Sequence, residues 1–185
     1  MKRLLRYSAI AVGVLIALLF GTAVIARYVA DGPMGPLSGG PLRAGELVTA
    51  PVSDWSFAEG HVVELELAAT GQSRTTGSLV YEGQFYIPCD LGFVWRRLPS
   101  AGMRGIASIL WAVKHWHEDA MRDGRAVVRL DGKRYEGKLV RVTDPELLAK
   151  LRAIMQEKAA KYMHATLTDA PPDAEAIWFF RLDPR

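Results

Sequence analysis

Residues 7–26 read YSAIAVGVLIALLFGTAVIA, an unbroken run without a charge. An α-helix needs about 20 predominantly apolar residues to cross a hydrocarbon core of roughly 30 Å. The run meets that length with little to spare. Lys2, Arg3 and Arg6 precede it and Arg27 closes it. Basic flanks tend to stay cytoplasmic, so the expectation is a single-pass cell-membrane protein with its N-terminus inside. Residues 31–185 would then lie outside the cytoplasm. The favoured reading is an uncleaved anchor. Its rival is a cleaved signal peptide, for which Val24 and Ala26 form a weak site before Arg27; the apolar core of such a peptide is usually about 7–15 residues.

The charge balance follows from the same segment. The chain holds 23 Lys and Arg against 20 Asp and Glu. Residues 1–30 contain four basic residues and no acidic one, leaving 19 basic against 20 acidic beyond them. The exported part has no general basic excess, so nucleic acid is not an expected partner. Cys89 is the single cysteine, which excludes an intramolecular disulfide. The remaining length suffices for one domain with its own core.

Residues 31–45 read DGPMGPLSGGPLRAG, with five Gly and three Pro. Neither helix nor sheet tolerates that density, so the stretch reads as a linker between an anchor (1–30) and a domain (46–185). Within the domain, HVVELEL (61–67) alternates as a half-buried strand, with Val63, Leu65 and Leu67 on one face. Residues 74–81 and 84–87 flank Glu82-Gly83, and residues 125–130 and 133–142 flank Asp131-Gly132. Both dipeptides suit two-residue hairpin turns. Gly137 interrupts the last of these strands, which suggests a bulge or a bend at a barrel corner.

Two helices are expected. The first spans residues 103–122, with Ile106, Ile109, Leu110 and Val113 on one stripe. The second opens on Thr143, Asp144, Pro145 and Glu146, a cap followed by a helix-opening proline. Its buried face would carry Leu147, Leu148, Leu151, Ile154 and Met155. A closing strand follows at 176–182. The expected fold is mainly β, α+β in class: a small antiparallel barrel with appended helices, one helical insertion at about 90–123, and a transmembrane helix in front.

The order of these elements, from SRTTGSLVYEGQFYI (73–87) through KHWHEDAMRDGRAVVRLDGKRYEGKLVRVTDPELLAKL (114–151), resembles the split-barrel flavin-binding superfamily. The likeness is to its deazaflavin-dependent nitroreductase branch and to pyridoxamine-phosphate-oxidase-like proteins. The whole chain also resembles small bacterial membrane-anchored proteins of undefined function, through the linker, PVSDWSF (51–57) and IWFFRLDPR (177–185). The resemblance implies a split barrel, a homodimer as one assembly, and FMN or a deazaflavin as cofactor, neither favoured. It assigns Arg74, Thr75 and Thr76 to a cofactor phosphate and Trp116 to the ring pocket. The sequence departs from the family pattern in two places. Gln72 stands where an arginine is common, and Asp119 replaces an asparagine on the tryptophan helix. The leading expectation is therefore a binding or interaction module of undefined ligand. A flavin- or deazaflavin-dependent oxidoreductase is the alternative.

Other candidate residues point less far. His115, His117, Glu118 and Asp119 invite a metal reading, but His115 and Asp119 share a helix face while His117 points away. Zinc needs three or four protein ligands, and only His61 and His164 remain to complete a set, so no metal is expected. Cys89 lies beside Asp90, which would raise rather than lower a thiol pKa, so a structural cysteine is expected. The stretch 93–113, from Phe93 to Val113, mixes Trp95, Leu98, Leu110 and Trp111 with Arg96, Arg97 and Arg104. That composition suits contact with a membrane surface or a protein partner, or a lid over the barrel.

Overall fold

A computed structural model describes residues 2–34, 38–90, 115–163 and 177–185. The 93–113 stretch, the first part of the helix expected at 103–122, and His164 lie outside the described residues.

Alternating burial builds the strands. In β2 (Val62–Leu67), Val63, Leu65 and Leu67 are fully buried, while Glu64 and Glu66 face outward. β6 (Arg125–Leu130) and β7 (Lys133–Arg141) alternate in the same way. With β1 (Glu46–Val48), β3 (Gln72–Gly77), β4 (Leu79–Tyr81), β5 (Gln84–Asp90) and β8 (Ile177–Pro184) they form one sheet. Its order is β3-β2-β6-β7-β8-β5-β4, antiparallel throughout except that β1 pairs β7 in parallel.

The ends of that order meet. β3 and β4 stand at opposite ends of the sheet, yet only Ser78 separates them in sequence. The sheet must curl until its edges share one chain segment, which makes it an antiparallel half-barrel. The single strand expected at 74–81 is thus two: its first half pairs β2 and its second half pairs β5. Ser78 is buried at the corner, its hydroxyl donating to the carbonyl of His61 at 2.8 Å.

The two hairpin turns form at the expected dipeptides. Glu82 (φ 51°) and Gly83 (φ 72°), like Asp131 (φ 49°) and Gly132 (φ 74°), have the paired positive φ of a type I′ turn. Gly137 makes no bulge. Register runs unbroken on both sides of it, Ala126 opposite one edge and Pro184 opposite the other. A side chain is excluded there by crowding: a Cβ would lie 2.7 Å from the Asp183 carbonyl oxygen and 2.7 Å from Leu182 Cδ1.

Three α-helices complete the described residues: α1 (Lys2–Val29), α2 (Trp116–Arg122) and α3 (Pro145–Met163). Asp144 caps α3, its Oδ1 accepting the amides of Glu146 at 2.8 Å and Leu147 at 3.1 Å. Leu148 and Leu151 then pack with Leu79, Tyr86, Val142, Ile177 and Phe179 on the outer face of the sheet. The main core fills the barrel, from Phe85, Ile87, Val63 and Leu65 to Val128, Leu139, Phe180 and Leu182, with Trp116 and Ala120 of α2 against it.

α1 is 28 residues long, and its described apolar side chains, such as Leu15, Leu19 and Ile25, are exposed. Among the described residues no helix is long and apolar enough to cross a membrane. The span expected at 7–26 is therefore not shown.

The described residues of the Gly/Pro-rich stretch, 31–34 and 38–45, form no helix or strand, yet they lie along the sheet. Gly39 and Ser73 exchange both backbone hydrogen bonds, Leu42 is 3% exposed, and the Leu42 amide donates to Glu66 at 2.7 Å.

Candidate functional site

Cross-strand register decides which side chains enter the barrel. Residues directly opposite one another in an antiparallel pair share a face. Arg74 lies opposite Leu65 and Thr76 opposite Val63, so both belong to the interior face of β3. Thr75 lies opposite Glu64 and belongs to the outer face. Of the four residues assigned by resemblance, Arg74 and Trp116 come together: the guanidinium carbon of Arg74 stands 5.6 Å from the Trp116 ring centre. Thr75 instead lines an outer groove of about 600 Å³ with Asp31, Glu64, Val62 and Arg129. Consecutive strand residues alternate faces, so Arg74, Thr75 and Thr76 do not form one cradle.

Trp116 is 4% exposed and packs on Phe180, ring centres 5.5 Å apart. It is a core tryptophan with the Arg74 guanidinium over its ring. Beyond Phe180 the aromatic row continues to Trp178, centre to centre 6.4 Å. Trp178 meets His117 edge to face at 4.8 Å and carries Arg141 at 3.6 Å over its ring. Arg141 lies opposite Phe180 across the β7–β8 ladder, which makes it the last interior-facing residue of β7 after Tyr135, Gly137 and Leu139. Cys89, opposite Trp178, is 1% exposed. The barrel interior therefore holds an aromatic row, Trp116, Phe180 and Trp178, the first two buried, with Arg74 beside one end and Arg141 beside the other.

A guanidinium stacked on an indole face gains cation–π attraction and keeps its N–H donors in its own plane. In that plane it can meet a carboxylate or phosphate with two parallel hydrogen bonds. Sequence reasoning missed Arg141 and Trp178. Arg141 was legible as the next interior step of Tyr135, Gly137 and Leu139. Trp178 was not, because IWFFRL gives no alternation from which to read its face.

The histidines separate. His115 is exposed and 3.5 Å from Glu118, whereas His117 is 9% exposed against Trp178. Among the described residues no three metal-ligating side chains converge. A second cleft, about 370 Å³, opens beside β1 and is lined by Val48, Pro51, Val52, Trp55, Tyr135 and Leu182 with Glu136 and Arg185 at its rim. Burial pushes the Tyr135 phenol above its ordinary pKa, so that hydroxyl stays protonated.

No family model matches the sequence, and no curated protein matches it significantly. Solved structures similar to the chain include a candidate pyridoxamine 5'-phosphate oxidase from Listeria innocua, 14% identical, with a TM-score of 0.41 over 70% of this chain and 89% of that one. An FAD-binding protein from Mesorhizobium loti is 12% identical, with a TM-score of 0.37 over 69% of this chain and 84% of that one. A protein of unknown function from Agrobacterium tumefaciens is 15% identical, with a TM-score of 0.34 over 65% of this chain and 46% of that one. Overlaps this partial leave the barrel to rest on its own strand register.

Proposed function

We propose that the chain is a membrane-tethered binding domain: residues 7–26 anchor it with the N-terminus in the cytoplasm, and the barrel outside takes an anionic small molecule between Arg74 and Arg141. The single observation behind the binding reading is the pair of arginines at interior-facing register positions beside the Trp116–Phe180–Trp178 row. The tether reading is supported by the uncharged run and its basic flanks.

A flavin- or deazaflavin-dependent oxidoreductase is the second reading, favoured by the order of elements. A flavin phosphate belongs to the same ligand class. The residues that the resemblance assigns to it do not fit as a set, because Thr75 faces away from Arg74 and Trp116 is packed in the core. No reaction step is derived through that group. A homodimer is a further part of this reading.

The full chain in detergent, titrated with inorganic phosphate and with FMN, tests both. Binding read by quenching of tryptophan fluorescence, and weakened about tenfold or more by Arg74→Gln and by Arg141→Gln, supports the anion site. Binding unaffected by either substitution rules it out. A flavin absorbance band that co-purifies favours the second reading. An extracytoplasmic-only reporter fused after Arg185 should be active; activity from a cytoplasmic reporter alone overturns the orientation.

A further inference from the structure

The segment whose composition reads as a flexible spacer is held by side chains from four strands. Asp31, directly beyond α1, accepts the amide of Arg43 at 2.6 Å and the amide of Ala44 at 3.2 Å. Arg129 of β6 donates to the same carboxylate at 3.0 Å, to the Ala44 carbonyl at 3.3 Å, and to Glu64 of β2. Arg134 of β7 donates to the carbonyls of Leu42 at 3.0 Å and Gly45 at 3.1 Å. Ser73 of β3 donates to the Gly40 carbonyl at 2.6 Å. Leu42 is buried beneath these contacts.

The glycines serve this packing. A Cβ at Gly39 would stand 1.7 Å from the Gly32 carbonyl oxygen, and one at Gly40 2.2 Å from that of Ala30. A Cβ at Gly32, whose φ is +90°, would meet Arg129 Nη2 at 2.3 Å. Gly45, at φ +105°, would place one 2.6 Å from the Gly132 carbonyl oxygen. Gly39, Gly40 and Gly45 are thus excluded from bearing a side chain by backbone, and Gly32 is disfavoured by its positive φ. Gly40 also lies close to the Tyr28 carbonyl in the last turn of α1 and to that of Ala30 just beyond it.

We propose that residues 31–34 and 38–45 form a rigid bracket that fixes the barrel's attitude to α1, with Arg129 as its positioning residue. A free chain of this length would let its ends wander over roughly 20 Å. The bracket instead ties the exit of α1 to the β2–β6–β7 face, so the barrel presents the same face to whatever surrounds the helix. The proposal rests on the tether reading for its setting only, not on the ligand reading.

The test uses the full chain in detergent micelles with Cys89→Ser and spin labels at Thr22→Cys on α1 and Gln84→Cys on β5. A distance distribution with a single narrow maximum is expected. Arg129→Gln and Gly40→Ala should each cost that single maximum while the circular dichroism of the barrel is kept. Leu151→Ala, which loosens α3 and not the bracket, should keep it. A broad distribution in the otherwise native chain overturns the bracket, and a narrow one that survives Arg129→Gln overturns the role of Arg129. Failure of the reporter-fusion experiment would remove the membrane setting and leave the distance result standing.

Discussion

Arg74 of β3 stands over the indole of Trp116 of α2, guanidinium carbon to ring centre 5.6 Å, and this contact joins the edge strand of the barrel to the helix that closes its end. The tryptophan also packs on Phe180, so its two surroundings differ: a cation at one side and core on the other. Removing the ring should cost far more than removing the charge. Trp116→Ala is expected to destabilise by about 3–5 kcal/mol and Arg74→Met by about 1 kcal/mol. Urea unfolding followed by circular dichroism measures both, and equal losses would show that the contact, not the core packing, dominates.

The cap of α3 is a local device with a local energy. Asp144→Ala should cost about 1 kcal/mol, and Asp144→Asn should recover most of it, because the amide oxygen can accept the same two backbone N–H groups. Thermal unfolding of the two variants gives the comparison.

Two glycines of the β6–β7 hairpin test different physics. Gly132→Ala meets an unfavourable positive φ in open space and should cost about 1 kcal/mol. Gly137→Ala meets the Asp183 carbonyl and Leu182 instead, so it should cost more and should loosen the β7–β8 pairing. Hydrogen exchange at the Val140 and Arg181 amides, which face each other in the β7–β8 ladder, would report the second effect and leave β6 protected.

Asp31 supplies a pH prediction. The Arg43 amide, followed by the Ala44 amide and Arg129, holds its carboxyl below the ordinary carboxylate pKa. A lowered folded-state pKa gives stability that is complete above the unfolded value and is lost as pH falls through the folded one. The stability difference between the native chain and Asp31→Asn should therefore be constant from about pH 8 to about pH 5 and shrink in stronger acid. Melting temperatures across that range would expose a wrong sign as a difference that grows on acidification.

The sequence by itself determined what depends on near neighbours. The alternation of Val63, Leu65 and Leu67, the two type I′ dipeptides and the Asp144-Pro145 helix start all rest on periodicity, φ preference and capping, which act within a few residues. Tertiary structure decided what depends on register and closure. The break at Ser78 exists because β3 and β4 must reach opposite ends of one curled sheet, and no local signal marks it. The placing of Arg74 and Arg141 beside one aromatic row, and of Thr75 on the other face, follows from pairing with β2 and β8. Glycine density in residues 31–45 was ambiguous for a physical reason: the missing side chain that permits flexibility is the same one that permits close backbone approach, and only the surfaces around Gly32, Gly39, Gly40 and Gly45 decide which holds.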